Sequence, residues 1–318
     1  MKTTKFGNLD HDVSRISFGG AAVSGEGGGY GFGELSESDA INLLHAAHDR
    51  GINCFDTAPC YGYGMSERRF GKAFADRRDK VFLISKCGVT WGEDKKLTNS
   101  NEPDVTRRMV EQSLRDLGTE RIDLYFIHWP DKKVDVRKTM EVLSEAKRAG
   151  KIAAIGLSNF YDVEEIKRAQ EVDRIDAFQT QFNLFSPEAA EKLFPFAKEH
   201  GIAHMSWGSF DKGILTGRVQ RGRKFDDKDF RSRFSDFVSE GKMRAMDRIT
   251  PLLKERGFDG RQLALGFIFS HPEATTAVCG IRTIEQLETA LTALENLPPA
   301  DLIEEALKIA EEETRSPA

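Results

Sequence analysis

The sequence lacks any apolar run long enough to cross a bilayer, and residues 1–7 lack the apolar core of a signal peptide. It also lacks an excess of positive charge, since 46 Lys and Arg stand against 51 Asp and Glu, a net charge of −5. That balance gives no support for a nucleic-acid or anionic-membrane partner. We therefore expect a cytoplasmic protein with neither kind of partner.

Cysteine is scarce and scattered. The four cysteines show no spacing typical of a metal site, and they stand at Cys54, Cys60, Cys87 and Cys279. This favours reduced thiols and no bound metal ion. Hydrophobic residues make up 39% and charged residues 31% of the chain, which is typical of a globular protein and argues against disorder.

Short apolar runs alternate with helical patterns along the chain. The apolar runs predict strands buried on both faces, at 16–20, 54–58, 81–87, 122–129, 152–158, 177–182, 202–207 and 275–280. The patterns between them predict helices, several of which stop at a glycine, at 39–50, 103–117, 136–149 and 187–200.

This alternation predicts an α/β fold, a (β/α)8 TIM barrel, as a single domain over 1–318. A doubly wound sheet is the alternative, and it is weakened because no G-x-G-x-x-G turn follows the first strand. We expect two additions to the barrel, an N-terminal hairpin within 1–15 and an extra C-terminal helix over 300–314. We also expect the long loop over 208–237 to be functional.

Polar side chains fall at the ends of three successive predicted strands. Asp56 and Tyr61 end the second strand and begin its loop, while Lys86 and His128 end the next two strands. The carboxyl ends of barrel strands converge on one mouth, where sites are built. Each residue alone has a plain structural explanation, such as turn capping or core packing. Four such groups at one mouth are hard to explain as packing.

These four groups suit the transfer of a proton to a carbonyl oxygen. A phenol has a pKa of about 10, and a nearby ammonium lowers it. We expect Lys86, held by an ion pair with Asp56, to lower the pKa of Tyr61, while His128 orients the substrate oxygen. Because no side chain supplies a hydride, a nicotinamide cofactor is required.

The stretch 51–71 resembles the first signature of the aldo-keto reductase family, through Phe-Asp-Thr-Ala at 55–58, Tyr-Gly at 61–62 and Ser-Glu at 66–67. The resemblance covers almost the whole chain. It implies a (β/α)8 barrel, an NAD(P)(H) cofactor, and a catalytic tetrad of Asp56, Tyr61, Lys86 and His128. The implied activity is reduction of small aldehydes, ketones or sugars, or the reverse reaction.

Two other functions stay open at this point. Channel-associated β subunits also resemble this family and retain a similar tetrad, so a cofactor-sensing regulatory subunit is the alternative. A metal-dependent barrel enzyme needs converging ligands, of which only Asp56 and His128 are evident.

The resemblance also implies cofactor contacts. Ser158, Asn159 and Gln179 match the residues that bind the carboxamide, with Gln181 as the local competitor of Gln179. Arg282 matches a residue that contacts a 2′-phosphate, which favours NADPH/NADP+ over NADH. Arg231 is more typical of a solvated basic loop. The remaining implied contacts lie at strand ends and in the loops after them: Gly20, Ala21, Asp56, Ser206, Trp207, Gly208, Gly213, Arg218, Gly280 and Gln286.

The sequence departs from the family pattern in two places. The aromatic residue that stacks on the nicotinamide corresponds to Met205 or Trp207, and Thr289 and Ala290 replace a Glu-Asn pair. The loop after His128 is short, so we expect an open, partly apolar substrate pocket. Its predicted lining is Tyr30, Trp91 and Trp129.

Overall fold

Eight parallel strands close into one barrel in the computed structural model, which describes residues 1–25, 28–233 and 238–315. An antiparallel hairpin of β1 (Thr3–Lys5) and β2 (Asp12–Ser14) precedes the barrel. The barrel strands are β3 (Ile16–Gly19), β4 (Cys54–Asp56), β5 (Phe82–Cys87), β8 (Leu124–Ile127), β9 (Ile155–Ser158), β10 (Ala177–Gln181), β11 (Ala203–Trp207) and β12 (Ala274–Cys279). Each predicted strand is confirmed, and closure of the sheet excludes a doubly wound arrangement.

Helices follow the barrel strands and cover the outside of the sheet. They are α1 (Glu37–Asp49), α2 (Met65–Phe74), α3 (Pro103–Leu117), α4 (Val136–Arg148), α5 (Val163–Gln170), α6 (Glu188–Lys192), α7 (Phe194–His200), α8 (Glu240–Glu255), α9 (Gly260–Phe269), α10 (Ile284–Glu295) and α11 (Ala300–Arg315). The helix predicted over 187–200 is two helices, because Pro195 has no N–H to continue α6 and instead sits in the first turn of α7.

Local sequence explains the bounds of α3, which the prediction gave correctly. Pro103 occupies its first turn, where the missing N–H costs nothing. Gly118 ends it with a left-handed φ of 60°, and its N–H bonds the carbonyl oxygens of Leu114 and Arg115. The buried side chains of Met109 and Val110 belong to the apolar face that packs onto the core.

The barrel interior is apolar, and the N-terminal hairpin closes its lower end. Ile84, Phe126 and Met205 belong to one buried cluster with Phe6 and Val13 of the hairpin region. The ring of Phe6 lies 5.1 Å from the ring of Phe82 between centroids. The carboxyl ends of the strands therefore form the open mouth at the opposite end.

Further segments surround the mouth and the outer helices. A hairpin of β6 (Val89–Trp91) and β7 (Leu97–Asn99), which the sequence did not predict, follows β5. The expected C-terminal helix is present as α11 and packs on α8, where Arg244 pairs with Glu313. In the long loop after β11, residues 234–237 lie outside the described residues. No described helix has the length and apolar character needed to cross a membrane.

Candidate active site

Asp56, Lys86 and Gln179 form a buried hydrogen-bonded group at the mouth of the barrel. Asp56 Oδ1 accepts from Lys86 Nζ at 2.6 Å and from Gln179 Nε2 at 2.9 Å. Lys86 Nζ also donates to the carbonyl oxygen of Thr57 at 2.8 Å. Lys86 is completely buried, which is tolerable because its charge is paired and hydrogen-bonded.

Tyr61 lies over Lys86, with 5.3 Å between Nζ and the centroid of the phenol ring. Within the described residues, its hydroxyl makes no hydrogen bond to that ammonium. Burial raises the pKa of Tyr61 well above its usual value, and the charge of Asp56 adds to the rise. The net shift is therefore opposite to the one expected from the sequence, because burial outweighs any stabilisation of the phenolate by Lys86 in the protein alone.

His128 stands beside Tyr61, with ring centroids 5.9 Å apart and planes at 82°. Burial lowers the pKa of His128 well below its usual value, and the charge of Lys86 acts in the same direction. Its imidazole is therefore neutral at physiological pH and has one N–H donor. Its Nδ1 lies 3.7 Å from the sulfur of Cys60.

Asn159 joins three parts of the mouth. Its amide nitrogen donates to the carbonyl oxygen of His128 at 2.9 Å and to Ser158 Oγ at 3.0 Å. Its amide oxygen accepts from the indole N–H of Trp207 at 2.9 Å. Both amide hydrogens are thus committed within the protein, so Asn159 holds neighbouring groups in place.

Ser158 and Gln179 each have a polar atom that is available to a ligand. The Ser158 hydroxyl accepts from Asn159, which leaves its hydrogen free to donate. Gln179 uses its nitrogen on Asp56, and its amide oxygen has no partner among the described residues. Gln179 lines the cavity at the mouth, whereas its competitor Gln181 does not.

The cavity at the mouth has a volume of about 750 Å³, a size ordinary for a ligand pocket. Most of the predicted site residues line it: Gly20, Ala21, Tyr30, Asp56, Tyr61, His128, Trp129, Ser158, Asn159, Gln179, Trp207, Gly208, Gly213, Arg218, Gly280, Arg282 and Gln286. Thr289 and Ala290 line it too, whereas Lys86 lies buried beneath Tyr61.

Two predicted site residues lie away from the cavity lining. Ser206 is buried and donates its hydroxyl to the carbonyl oxygen of Phe182 at 2.6 Å, while Ser209 lines the cavity instead. Trp91 packs against Tyr63, with ring centroids 5.4 Å apart. Strand alternation turns Ser206 outward. The hairpin of β6 and β7, which the sequence did not predict, places Trp91 beside Tyr63.

Met205 and Trp207 lie at different depths in the barrel. Met205 is fully buried in the barrel interior, beneath the mouth. Trp207 follows it by two residues on the same face of β11 and lines the cavity. Of the two residues, Trp207 is therefore the one whose side chain borders the cavity.

The cavity lining includes six cationic side chains: Lys212, Arg218, Arg223, Arg231, Arg261 and Arg282. The Arg282 guanidinium is held by the carbonyl oxygens of Phe32, Gly33 and Glu34. Arg231 forms an ion pair with Asp229 at 2.6 Å, so it is a structural member of the loop and not a solvated side chain.

Two loop segments, 28–35 and 225–231, meet at the edge of the cavity. Phe32 bridges to Asp229, and the Phe32 and Phe230 rings lie 4.6 Å apart between centroids. Lys228 pairs with Glu34 on the outside. Sequence reasoning missed Phe32 and Phe230, although aromatic residues in glycine-rich and charged segments are a signal that could have found them.

The donor set suits a dinucleotide better than a metal ion. Among the described residues, no three His, Cys, Asp or Glu side chains lie close enough together to hold a metal. The lining offers the amide oxygen of Gln179 and the hydroxyl of Ser158, together with the cationic side chains. A carboxamide needs hydrogen-bonding groups and phosphates need cations, and this lining has both.

Comparisons with known proteins agree with this geometry. A model of the Aldo/keto reductase family matches residues 15–310. Aldo-keto reductase YhdN of Bacillus subtilis is 35% identical over 299 residues, covering 91% of this chain and 87% of that protein. The NADH-specific methylglyoxal reductase of Escherichia coli is 30% identical over 319 residues, covering 95% and 96%.

A solved structure gives the same result. The glycerol dehydrogenase AKR11B4 from Gluconobacter oxydans superposes with a TM-score of 0.85 at 30% identity, covering 99% of this chain and 97% of that one. The chain belongs to the aldo/keto reductase family, whose members are carbonyl oxidoreductases that use nicotinamide cofactors.

Proposed function

We propose that this protein is an NADP(H)-dependent reductase of small aldehydes, ketones or sugars, which also oxidises the corresponding alcohols, with Tyr61 as the general acid and base. One observation carries the proposal. The Tyr61 phenol and the neutral His128 imidazole face one cavity directly above the buried pair of Lys86 and Asp56. A proton donor and a neutral hydrogen-bond donor thus face the same space.

Tyr61 supplies the proton in the direction of reduction. Because burial raises its pKa, it stays protonated through neutral pH and holds the proton that the carbonyl oxygen needs. Proton loss leaves a phenolate above Lys86. The ammonium has three N–H donors, of which Asp56 and Thr57 take two, so one remains to stabilise that phenolate. Solvent then returns the proton to the phenolate.

His128 orients the substrate. A neutral imidazole donates one hydrogen bond to the carbonyl oxygen without giving up its proton, so His128 positions the oxygen within reach of Tyr61. When bound, a nicotinamide cofactor supplies the hydride that reaches the carbonyl carbon. Ser158 and Gln179 are the residues that would hold its carboxamide, and Trp207 would pack on its ring.

Preference for NADP(H) is inferred from the cationic side chains that line the cavity. Arg282 is held in position by three carbonyl oxygens, which use only part of its five N–H donors. A prepositioned guanidinium that lines the same cavity as Arg218 suits an additional phosphate. One relative is named as NADH-specific, so the choice requires a direct test.

Small substrates fit the remaining space. Tyr30, Trp129 and Phe230 give an aromatic lining to the cavity that Tyr61 faces. The loop contact between Phe32 and Phe230 limits the opening on one side. A compact carbonyl compound or sugar would reach Tyr61 through this opening more readily than a rigid polycyclic one.

A substrate panel followed by NADPH absorbance tests the proposal. We expect turnover of small carbonyl compounds by the native chain, and Tyr61→Phe should lower kcat by about 10²–10⁴-fold. Its affinity for NADPH should stay close to that of the native chain, since the substitution keeps the ring. Undiminished activity in Tyr61→Phe would reject the assigned role, and no turnover across a broad panel would favour a regulatory subunit.

Quenching of tryptophan fluorescence measures cofactor choice, because Trp129 and Trp207 line the cavity. We expect NADPH to bind more tightly than NADH. Arg282→Met should weaken NADPH binding by about tenfold and leave NADH binding nearly unchanged, since one charge-assisted contact is lost. Arg248→Met is the matched control, because Arg248 pairs with Glu312 on the outer surface. Equal losses for both cofactors would contradict the assignment.

A further inference from the structure

Cys60 is the residue before Tyr61, and no step proposed above uses it. It is completely buried on the turn after β4, where the Tyr61 N–H bonds the carbonyl oxygen of Ala58 at 3.1 Å. Gly29 packs tightly on this turn, since an added Cβ there would lie 1.8 Å from the Cys60 carbonyl oxygen. The turn therefore has little freedom to move, and the thiol has a defined position.

The thiol faces one particular atom of His128. Cys60 Sγ lies 3.7 Å from Nδ1, within range of a hydrogen bond that involves sulfur. Three rings also surround this imidazole: Tyr61 at 5.9 Å, Tyr30 at 6.3 Å and Trp129 at 6.3 Å between centroids. Among the described residues, Cys60 is the polar group within hydrogen-bond range of Nδ1.

The direction of this hydrogen bond decides which nitrogen of His128 holds the proton. A neutral imidazole has one N–H and one bare nitrogen. If the thiol donates to Nδ1, the proton stays on Nε2. Nε2 has no protein partner within the described part of the chain, and His128 lines the cavity. An Nε2–H therefore points its hydrogen at the space where a substrate oxygen would bind.

The surroundings leave the thiol with a hydrogen that it can donate. Burial strongly raises the pKa of the Cys60 thiol, so it keeps its hydrogen. The charged and titratable groups near the imidazole are Lys86, Tyr30, Tyr61 and Cys60 itself, and the Lys86 charge opposes a second proton on the ring. A neutral ring that accepts at Nδ1 agrees with all of these contacts.

We propose that Cys60 is a positioning residue, whose S–H donates to His128 Nδ1 and thereby keeps the imidazole as the Nε2–H tautomer that orients the substrate carbonyl. The catalytic consequence rests on the proposed function, whereas the tautomer itself does not. Cys60 touches neither substrate nor cofactor in this role. It acts only through the ring of His128.

Nitrogen NMR of protein labelled with ¹⁵N-histidine tests the tautomer without substrate. The native chain should show His128 protonated at Nε2 and bare at Nδ1. Cys60→Ala should shift the population toward the Nδ1–H tautomer, and Cys60→Ser, which keeps a donor, should shift it less. Cys279→Ala removes another buried thiol that is away from His128 and should change nothing. An unchanged tautomer in Cys60→Ala, or equal shifts in the Ala and Ser variants, would overturn the proposal.

Kinetics give the second measurement. Cys60→Ala should lower kcat by about three- to tenfold, as expected for one weak hydrogen bond, with an unchanged KM for the cofactor. Loss of rate without a tautomer change would mean a packing effect and would reject the positioning role. If the native chain shows no turnover at all, the proposed function fails, while the NMR result still decides the role of Cys60.

Discussion

The two sides of the cavity are built in different ways. On the strand-end side, Asp56, Lys86 and Gln179 are buried and joined by hydrogen bonds of 2.6 and 2.9 Å. On the loop side, 28–35 and 225–231 meet through one backbone bridge, ring contacts and an exposed ion pair. The sheet thus holds the groups that would perform chemistry, whereas the loops line the opening through which a ligand would enter. Loops of this kind tolerate change that a barrel strand does not.

Disrupting the buried ion pair on the strand-end side should have the largest effect on stability and activity. Lys86→Met leaves Asp56 buried without its cation, which should lower the free energy of unfolding by about 3–5 kcal/mol. Reductase activity should fall by at least about 10²-fold, since Tyr61 loses its neighbouring cation. Denaturant unfolding and steady-state kinetics measure the two effects.

The control for that substitution is an exposed ion pair. Lys72 pairs with Glu37 at 2.8 Å, and both side chains are more than half exposed. Lys72→Met should therefore cost no more than about 1 kcal/mol. Equal destabilisation by the two variants would contradict the contrast between a buried and an exposed pair.

The strands also hold a buried polar group on their outer side. His204 bonds the Thr180 hydroxyl at 2.8 Å, and burial lowers the pKa of its imidazole to about 3. Below the unfolded-state pKa of about 6.5, the unfolded chain takes up a proton that the folded one refuses. Stability should thus be lost as the pH falls from about 6.5 toward about 3, by about 2 kcal/mol at pH 5.

Replacing His204 with glutamine tests whether titration of His204 causes this loss of stability in acid. His204→Gln keeps a hydrogen-bond partner for Thr180 but does not titrate. The difference in unfolding free energy between pH 7 and pH 5 should shrink by about 2 kcal/mol in this variant. The exposed His200 gives the matched control, and His200→Gln should keep the native difference.

Loosening the loop side should change binding more than folding. Phe230→Ala removes the ring contact with Phe32, so the substrate KM should rise by about three- to tenfold while kcat changes little. A double-mutant cycle with Phe32→Ala should give a coupling energy of about 0.5–1.5 kcal/mol. A large fall in kcat with an unchanged KM would place Phe230 with the catalytic groups instead.

The ion pair between the two loops should contribute little to the stability of the protein. Lys228 and Glu34 are both more than half exposed, so Lys228→Met should change the free energy of unfolding by less than about 1 kcal/mol. The difference should shrink further at high salt, because exposed charges are screened. A larger, salt-independent loss in denaturant unfolding would mean that the loop contact is part of the folded core.

The smallest expected effect is on the pH dependence of activity. Burial keeps His128 neutral, with a pKa well below its usual value of 6.5. The pH profile of kcat for reduction should therefore show no step near pH 6.5. A clear inflection there, at a pH where the protein is still folded, would mean that His128 titrates.

Sequence patterns predicted the strand-end side far better than the loop side. Buried strands have continuous apolar runs, so a polar residue at a strand end, such as Lys86 or His128, stands out. The pKa direction of Tyr61 was missed because its main cause is burial of the phenol, which depends on the folded barrel and not on the local sequence. The loop contact of Phe32 with Phe230 joins residues about 200 positions apart that share no local periodicity.

The hairpin that closes the lower end of the barrel has a practical consequence for attaching the protein to a surface. Met1 packs beside Gly51, in a loop at that lower end, while the cavity opens at the other end. A tether at the N-terminus would therefore point the mouth toward the solution. Immobilised in this orientation on a resin or an electrode, the protein would keep its cavity accessible to dissolved substrates.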